Sequence, residues 1–182
     1  MNINPIIEKI IFTYEDIIEG INKCASWLNE KIIKANNEYI VISVLKGSLP
    51  FAGHLIPLLN GNILLDFFAV KSYVEGTNQT IPQIILDTSN NVENKNVIII
   101  EDIVDSGATL NFLIDILNKR KAKSITLVSL FQKEKNKLNK KNISFFSPLI
   151  LPDKWIVGFG LDCNNKWRNL PYVGILKKEY QK

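Results

Sequence analysis

Four short runs rich in valine and isoleucine constrain the fold of this 182-residue chain more than any other feature: YIVISVL (39–45), NILLDFFAV (62–70), VIII (97–100) and SITLVSL (124–130). Each is apolar at nearly every position, without the polar alternation of a half-exposed strand, so each must be covered on both faces. Each is also far shorter than the ~18 residues that cross a bilayer. Helical patterns lie between them, PFAGHLIPLL (50–59) after the first run and TLNFLIDILNKR (109–120) after the third. Strand, helix and strand in succession predict parallel pairing with right-handed crossovers, hence an α/β domain whose central, mainly parallel sheet is flanked by helices. A longer helix is expected over about 14–34, where Ile17, Ile18, Ile21, Cys24, Ala25, Leu28 and Ile32 share a face and Thr13 with Asp16 offers a capping signal. The N-terminal segment and the Trp- and Pro-punctuated tail break the alternation. The spacing predicts one domain, with a core over about 35–146 and a small hood from about 1–12 and 147–182.

Composition removes several classes of function. The single histidine, His54, sits in a helical pattern, which leaves no basis for His-rich metal sites and little for a Ser-His-Asp triad. Cys24 and Cys163 are far apart and form neither a redox pair nor a zinc cluster, so both are expected reduced and packed. Asn2 and Asn4 follow Met1 where a secretory leader has basic and apolar residues, and the chain reads as cytosolic. A net charge of +4 favours anionic ligands only weakly, because the charge is spread along the chain. The 22 basic residues comprise 20 lysines and only Arg120 and Arg168, so an arginine is expected where a planar fork is needed. The polar stretches 87–96 and 132–142 read as surface loops.

Ligands of open α/β sheets bind at the carboxyl ends of the strands, so the residues that follow each apolar run carry the chemistry. The strongest such place is VIIIEDIVDSGATL (97–110). An apolar strand leads to the adjacent acids Glu101 and Asp102, then to Asp105, Ser106, Gly107, Ala108 and Thr109 at the start of a helix. Small residues, hydroxyls and free amides at a helix N-terminus form a cradle for phosphate. It is not a Walker loop, and Gly158-Phe159-Gly160 lacks the third glycine of a dinucleotide fingerprint. Within a strand Glu101 and Asp102 would face opposite ways, so they serve one ligand only beyond the strand end. The plainer alternative is that Asp105 or Ser106 caps the helix while the two acids are solvated.

Residues 97–110 resemble the phosphoribosyl diphosphate (PRPP) signature of the type I phosphoribosyltransferases, and the chain from about 6 to 177 is similar to the hypoxanthine-guanine branch of that family. The resemblance implies the type I fold, purine salvage from PRPP and hypoxanthine or guanine, Mg²⁺ as cofactor, and a homodimer or homotetramer without nucleic-acid or membrane partners. Carried across residue by residue, it makes Asp105 the general base at purine N7, and Ser106, Gly107, Ala108 and Thr109 the 5′-phosphate loop with Asp105 at its start. Glu101 and Asp102 match the acidic pair at the ribose hydroxyls and metal. Leu45-Lys46-Gly47-Ser48 resembles the diphosphate loop, often entered through a cis peptide. Lys71-Ser72-Tyr73 and the polar stretch to 83 resemble a mobile flap closing through Ser72 and Tyr73. Lys133 matches the lysine at the purine C6 oxygen, although Lys135 and Lys137 crowd the alignment. In 151–174, Trp155 matches the aromatic that stacks on the base, Ile156 the backbone hydrogen-bonding residue, Asp162 an acid near the base and a second metal, and Arg168 a diphosphate-binding arginine. Two readings from other classes stay open. An RNA-binding regulator would use the lysines at 119–123 and 133–141, which lack interleaved aromatics. A receiver-like signalling domain leaves Trp155 through Arg168 unexplained.

Overall fold

A computed structural model describes residues 3–35, 38–75, 79–135 and 143–181, without the side chains of 33–35, 72–75 and 79–81. The chain opens with β1 (Ile7–Phe12) and α1 (Tyr14–Ala35). Strand β2 (Tyr39–Leu45) leads through α2 (Leu49–Leu55) and a 3-10 turn at Ile56–Leu58 into β3 (Ile63–Glu75) and β4 (Gln79–Leu86). Then come β5 (Asn96–Val104), α3 (Ala108–Lys119) and β6 (Ser124–Lys133), followed by the short strands β7 (Ser144–Phe146), β8 (Leu149–Leu151), β9 (Ile156–Val157) and β10 (Val173–Leu176).

The main sheet runs β4-β3-β2-β5-β6-β7, with β8 also on β6, and only the β3–β4 pair is antiparallel. The alternation within each apolar run divides the core in two. Val41, Ile98, Ile100, Val128 and Leu130 meet the apolar stripe of α1 and the Phe51 and Leu55 side of α2. Ile40, Ile42, Ile99 and Leu127 point the other way, onto Leu110, Leu113, Ile114 and Leu117 of α3. Helices on both faces are why these strands lack polar positions. The expected capping of α1 is present: the Thr13 N–H and hydroxyl donate to Asp16 at 2.8 and 2.9 Å, and the Asp16 N–H returns a bond to Thr13 Oγ1. Both cysteines are free and buried, and burial pushes the Cys24 thiol up to about 12. Among the described residues no helix is long and apolar enough to cross a membrane.

A second sheet, β1-β10-β9, joins the two ends of the chain antiparallel and packs Ile6, Ile7, Val157, Tyr172 and Leu176 into its own cluster. Strand β8 stays with the main sheet, so the small sheet takes its C-terminal strands from Ile156 onward.

Three expectations are corrected. The segment 71–83 is not a loop in its described parts: Lys71 pairs with Gln83 and Ser72 with Pro82, extending β3 and β4 as an antiparallel pair. Pro82 is tolerated because β4 is the edge strand. Gly76, Thr77 and Asn78, and the side chains of the flap residues Ser72 and Tyr73, lie outside the described residues. Strand β5 also runs beyond Ile100, so Glu101 and Asp102 lie inside it, held by β6 pairing that continues to Val104 and Gln132. Thirdly, the 132–142 stretch begins as strand, because β6 ends only at Lys133.

The one acid in the second apolar run, Asp66, is buried and organises the 87–90 turn. Its Oδ2 accepts from the Thr88 and Ser89 hydroxyls, the Ser89 and Asn90 N–H groups at 2.9 Å each, and the Asn90 side-chain amide at 2.7 Å. Burial alone would raise this carboxyl, but the bonds from Thr88, Asn90 and Phe67 outweigh it and hold the group well below the ordinary carboxylate range. Asp66→Ala leaves these donors without their acceptor and is expected to cost about 3 kcal/mol in urea unfolding at neutral pH. Because the folded-state pKa is depressed, this stabilisation is complete above the unfolded value of about 3.9 and disappears as pH falls below it. Wild type should therefore lose more stability on acidification than Asp66→Ala.

Candidate active site

Strands β2, β5 and β6 are parallel, so the loops leaving their C-terminal ends open on one edge of the sheet. After β2 come Lys46 and Gly47, joined to Leu45 by a cis peptide bond. Lys46 is exposed, whereas Ser48 is buried and locks the turn: its hydroxyl donates to the Val44 carbonyl at 2.5 Å and shares a 2.7 Å bond with Ser43. A Cβ at Gly47 would run into the Asp102 carboxylate, so glycine lets the β2 loop lie directly against β5.

After β5 the chain turns through Asp105 and Ser106 into α3. The residue before the helix is Gly107 at φ 75°, and no side chain caps it. Ser106 Oγ accepts the Ala108 N–H at a long 3.4 Å. The first-turn amides of α3 have no intrahelical acceptors, and residues 105–110 line a cavity of about 260 Å³ together with Gly47, Glu101 and Asp102.

Glu101 and Asp102 are not solvated. Glu101 is buried and Asp102 half-buried, and both reach the same cavity although they are neighbours in a strand. Glu101 curls back, its Oε1 accepting the Asp102 N–H at 3.1 Å. Burial and the adjacent Asp102 charge push the Glu101 carboxyl well above its usual range. Burial raises Asp102 too, against the pull of its hydrogen bonds and of Arg168. Among the described residues no three His, Cys, Asp or Glu side chains converge into a cage. Two crowded carboxylates facing one cavity suit a cation that completes its shell with phosphate oxygens and water.

The larger cleft, about 430 Å³, lies beyond Asp102, Ile103 and Asp105, which line both spaces. Lys133, the last residue of β6, reaches into it with its Nζ 3.2 Å from Asp105 Oδ2. Only 17% of the Lys133 side chain is exposed against 76% for Lys135, so the cleft itself singles out Lys133; Lys137 lies outside the described residues. Trp155 is 55% exposed and lines the same cleft beside the buried Ile156, which excludes core packing as its role. Asp162 lies at the same cleft. Its Oδ1 accepts from Arg168 Nη2 at 2.6 Å, and the other guanidinium arm donates to the Gly160 carbonyl at 2.6 Å. Gly160, at φ 97°, packs against the Gly47 carbonyl, which brings Arg168 to the β2 loop. The structure thus gathers the β2, β5 and β6 ends and the 153–168 segment into two adjoining clefts.

Known proteins are similar to this chain in sequence and in fold. The family described as phosphoribosyl transferase domain matches residues 9–164. The chain is 42% identical over 175 residues to the hypoxanthine-guanine phosphoribosyltransferase of Mycoplasma genitalium, covering 95% of this chain and 98% of that one. The chain belongs to the hypoxanthine-guanine phosphoribosyltransferase family. It is similar in structure to a hypoxanthine phosphoribosyltransferase from Staphylococcus aureus, with TM-score 0.84, 34% identity and coverage of 97% and 95%. A Trypanosoma cruzi hypoxanthine phosphoribosyltransferase superposes with TM-score 0.88 at 30% identity, covering 98% and 96%. The protein is thus a phosphoribosyltransferase, an enzyme of the pentosyl-transferring class, with the family's type I fold.

Two features of this phosphoribosyltransferase's site escaped the sequence. Asp153 stands in the larger cleft beside Lys133, yet in the sequence it is one polar residue of a Pro-Asp-Lys turn. The contact between Gly160 and Gly47 joins residues far apart in the chain; the unexplained pair Gly158 and Gly160 was its only signal. Because Gly160 combines positive φ with a backbone carbonyl where a Cβ would stand, Gly160→Ala is expected to lower stability by about 2 kcal/mol or more, read as a lower melting temperature than wild type.

Proposed function

We propose that the enzyme transfers the phosphoribosyl group of PRPP to hypoxanthine or guanine, forming IMP or GMP and diphosphate, with Mg²⁺ as cofactor and Asp105 as general base at purine N7. It works in the cytoplasm as a homodimer or homotetramer. The relatives named for hypoxanthine and guanine support the choice of base. The observation that carries the reading is that Asp105 stands on the wall between two clefts of different character. One offers helix N-terminal amides and hydroxyls from Ser106 to Thr109, suited to a 5′-phosphate. The other offers the exposed face of Trp155 and the ammonium of Lys133, suited to a flat heterocycle carrying an oxygen.

In the reaction the bond from the sugar's anomeric carbon to diphosphate breaks and a bond to a purine nitrogen forms. The sugar becomes electron-poor as it passes between them, and negative charge builds on the leaving group. Lys46, the Gly47 amide and Arg168 would offset that charge as it develops. Glu101 and Asp102 would hold Mg²⁺, with Asp162 near a second ion; when bound, the metal neutralises diphosphate oxygens as a Lewis acid. The purine acquires positive charge as it bonds and must lose a proton, which the Asp105 carboxylate takes from the N7 side. Lys133 orients the ring through its C6 oxygen, Trp155 through its face, and Ile156 through its main chain. The Ser72–Tyr73 segment closes over the centre and keeps water from competing with the purine.

General-base help is typically worth about 10² to 10⁴ in rate, so Asp105→Asn is expected to lower kcat with hypoxanthine by about 10² or more while the KM for PRPP changes little. Steady-state assays with PRPP, Mg²⁺ and hypoxanthine, guanine or xanthine check both the residue and the base. Full turnover by Asp105→Asn would remove it from the mechanism.

A further inference from the structure

Asp153 lines the larger cleft and takes no part in the proton transfer assigned to Asp105. Its position follows from the sheet edge. Lys133 closes β6 and is the register partner of Leu151, which closes β8. The Glu134 N–H donates to the Leu151 carbonyl at 3.1 Å, and the Lys154 N–H folds back onto Pro152 at 2.8 Å. The turn so formed carries Asp153 over the end of β6. There its Oδ1 stands 3.9 Å from Lys133 Nζ, and its Oδ2 accepts from Lys135 Nζ at 2.9 Å.

Lys133 therefore lies between carboxylates from two different elements, Asp105 at 3.2 Å and Asp153 at 3.9 Å. Its side chain is mostly withdrawn from water, so its ammonium depends on these partners more than a surface lysine does. Lys135 holds the Asp153 carboxylate from the solvent side. Its hydrogen bond, then its charge and that of Lys133, keep Asp153 below the usual carboxylate range and thus ionised.

We propose that Asp153 is a positioning residue that anchors Lys133, so that the ammonium turns toward the C6 oxygen of a 6-oxopurine instead of settling on Asp105. This role rests on the purine reading above. Lysine is a point charge on a flexible stem and follows the strongest local field. With Asp105 as its sole counter-charge, every approach of the base oxygen would have to pull Lys133 from the carboxylate that must accept a proton. A second carboxylate on the far side lets the ammonium leave Asp105 without losing compensation. The same turn leads directly into Trp155 and Ile156, so the anchor also joins the lysine to the wall that holds the ring.

The test is steady-state kinetics of wild type, Asp153→Asn, Asp153→Glu, Lys133→Gln, the Asp153→Asn/Lys133→Gln double variant and Lys135→Gln, with hypoxanthine and PRPP each varied. Asp153→Asn should raise the KM for hypoxanthine about tenfold, the coupling expected for residues in contact. The KM for PRPP and the melting temperature should stay at wild-type values. In the Lys133→Gln background the same change should add nothing, Asp153→Glu should recover most of the loss, and Lys135→Gln, which removes the hydrogen bond that holds Asp153, should raise the hypoxanthine KM by less than Asp153→Asn does. The role is overturned if Asp153→Asn leaves the hypoxanthine KM unchanged, if its effect persists undiminished without Lys133, or if PRPP KM and melting temperature shift along with it. Wild-type enzyme that turns over neither hypoxanthine nor guanine would instead overturn the purine reading, and this role with it.

Discussion

The parallel register of β5 against β6 is the constraint from which the site follows. Val104, the last residue of β5, pairs with Gln132, one residue before the end of β6, so Asp105 and Lys133 follow side by side. Their 3.2 Å contact is thus written into the backbone ladder before any side chain chooses a rotamer. From that point the sheet edge divides space in two: α3 turns its N-terminus toward one side of Asp105, while β8 and the turn after it close the other. A shift of one residue in this register would turn Asp105 toward the opposite face and separate the clefts from their common wall.

Charge within the site is arranged by burial as much as by sequence. Glu101, Asp102, Asp105, Asp153 and Asp162 crowd one edge of a protein whose net charge is +4. Among the described residues Lys133 meets Asp105 and Asp153, Lys135 meets Asp153, and Arg168 meets Asp162. Arg168 is one of two arginines in the chain, and it uses its fork as such, one arm on a carboxylate and the other on the Gly160 carbonyl. The other, Arg120, makes a two-pronged pair with Asp87 outside the site, so arginine marks a need for geometry here and not for catalysis alone.

How much of this was legible in the sequence depended on whether the determining contacts were local. The buried strands and the α1 stripe were readable because covering both faces of a strand, or one face of a helix, leaves a periodic mark in a single segment. The turn from β5 into α3 around Ser106 and Gly107 was readable for the same reason, since a strand end and a helix start are adjacent in the chain. The β3–β4 extension was not, because pairing between edge strands overrides a polar composition that otherwise reads as loop. That Glu101 and Asp102 reach one cavity from inside the strand was not legible, because strict alternation does not register a glutamate long enough to fold back on the next peptide. Position at a strand end is the sequence feature that favours Lys133 over Lys135, whereas the difference in their burial is not contained in composition.

The small sheet shows why a site at one edge of the main sheet needs both ends of the chain. Strand β10 is paired by β1 on one side and β9 on the other, so the N-terminal strand holds the segment bearing Trp155 and Ile156 in place. The Leu176 N–H reinforces this by donating to the Trp155 carbonyl at 2.9 Å. That hydrogen bond fixes the backbone while leaving the indole exposed toward the cleft, a combination that neither core packing nor a free loop produces. On the far side Gly160 rests on the Gly47 carbonyl and ties the same segment to the β2 loop. The wall of the larger cleft is therefore suspended between two backbone contacts, one to each part of the fold.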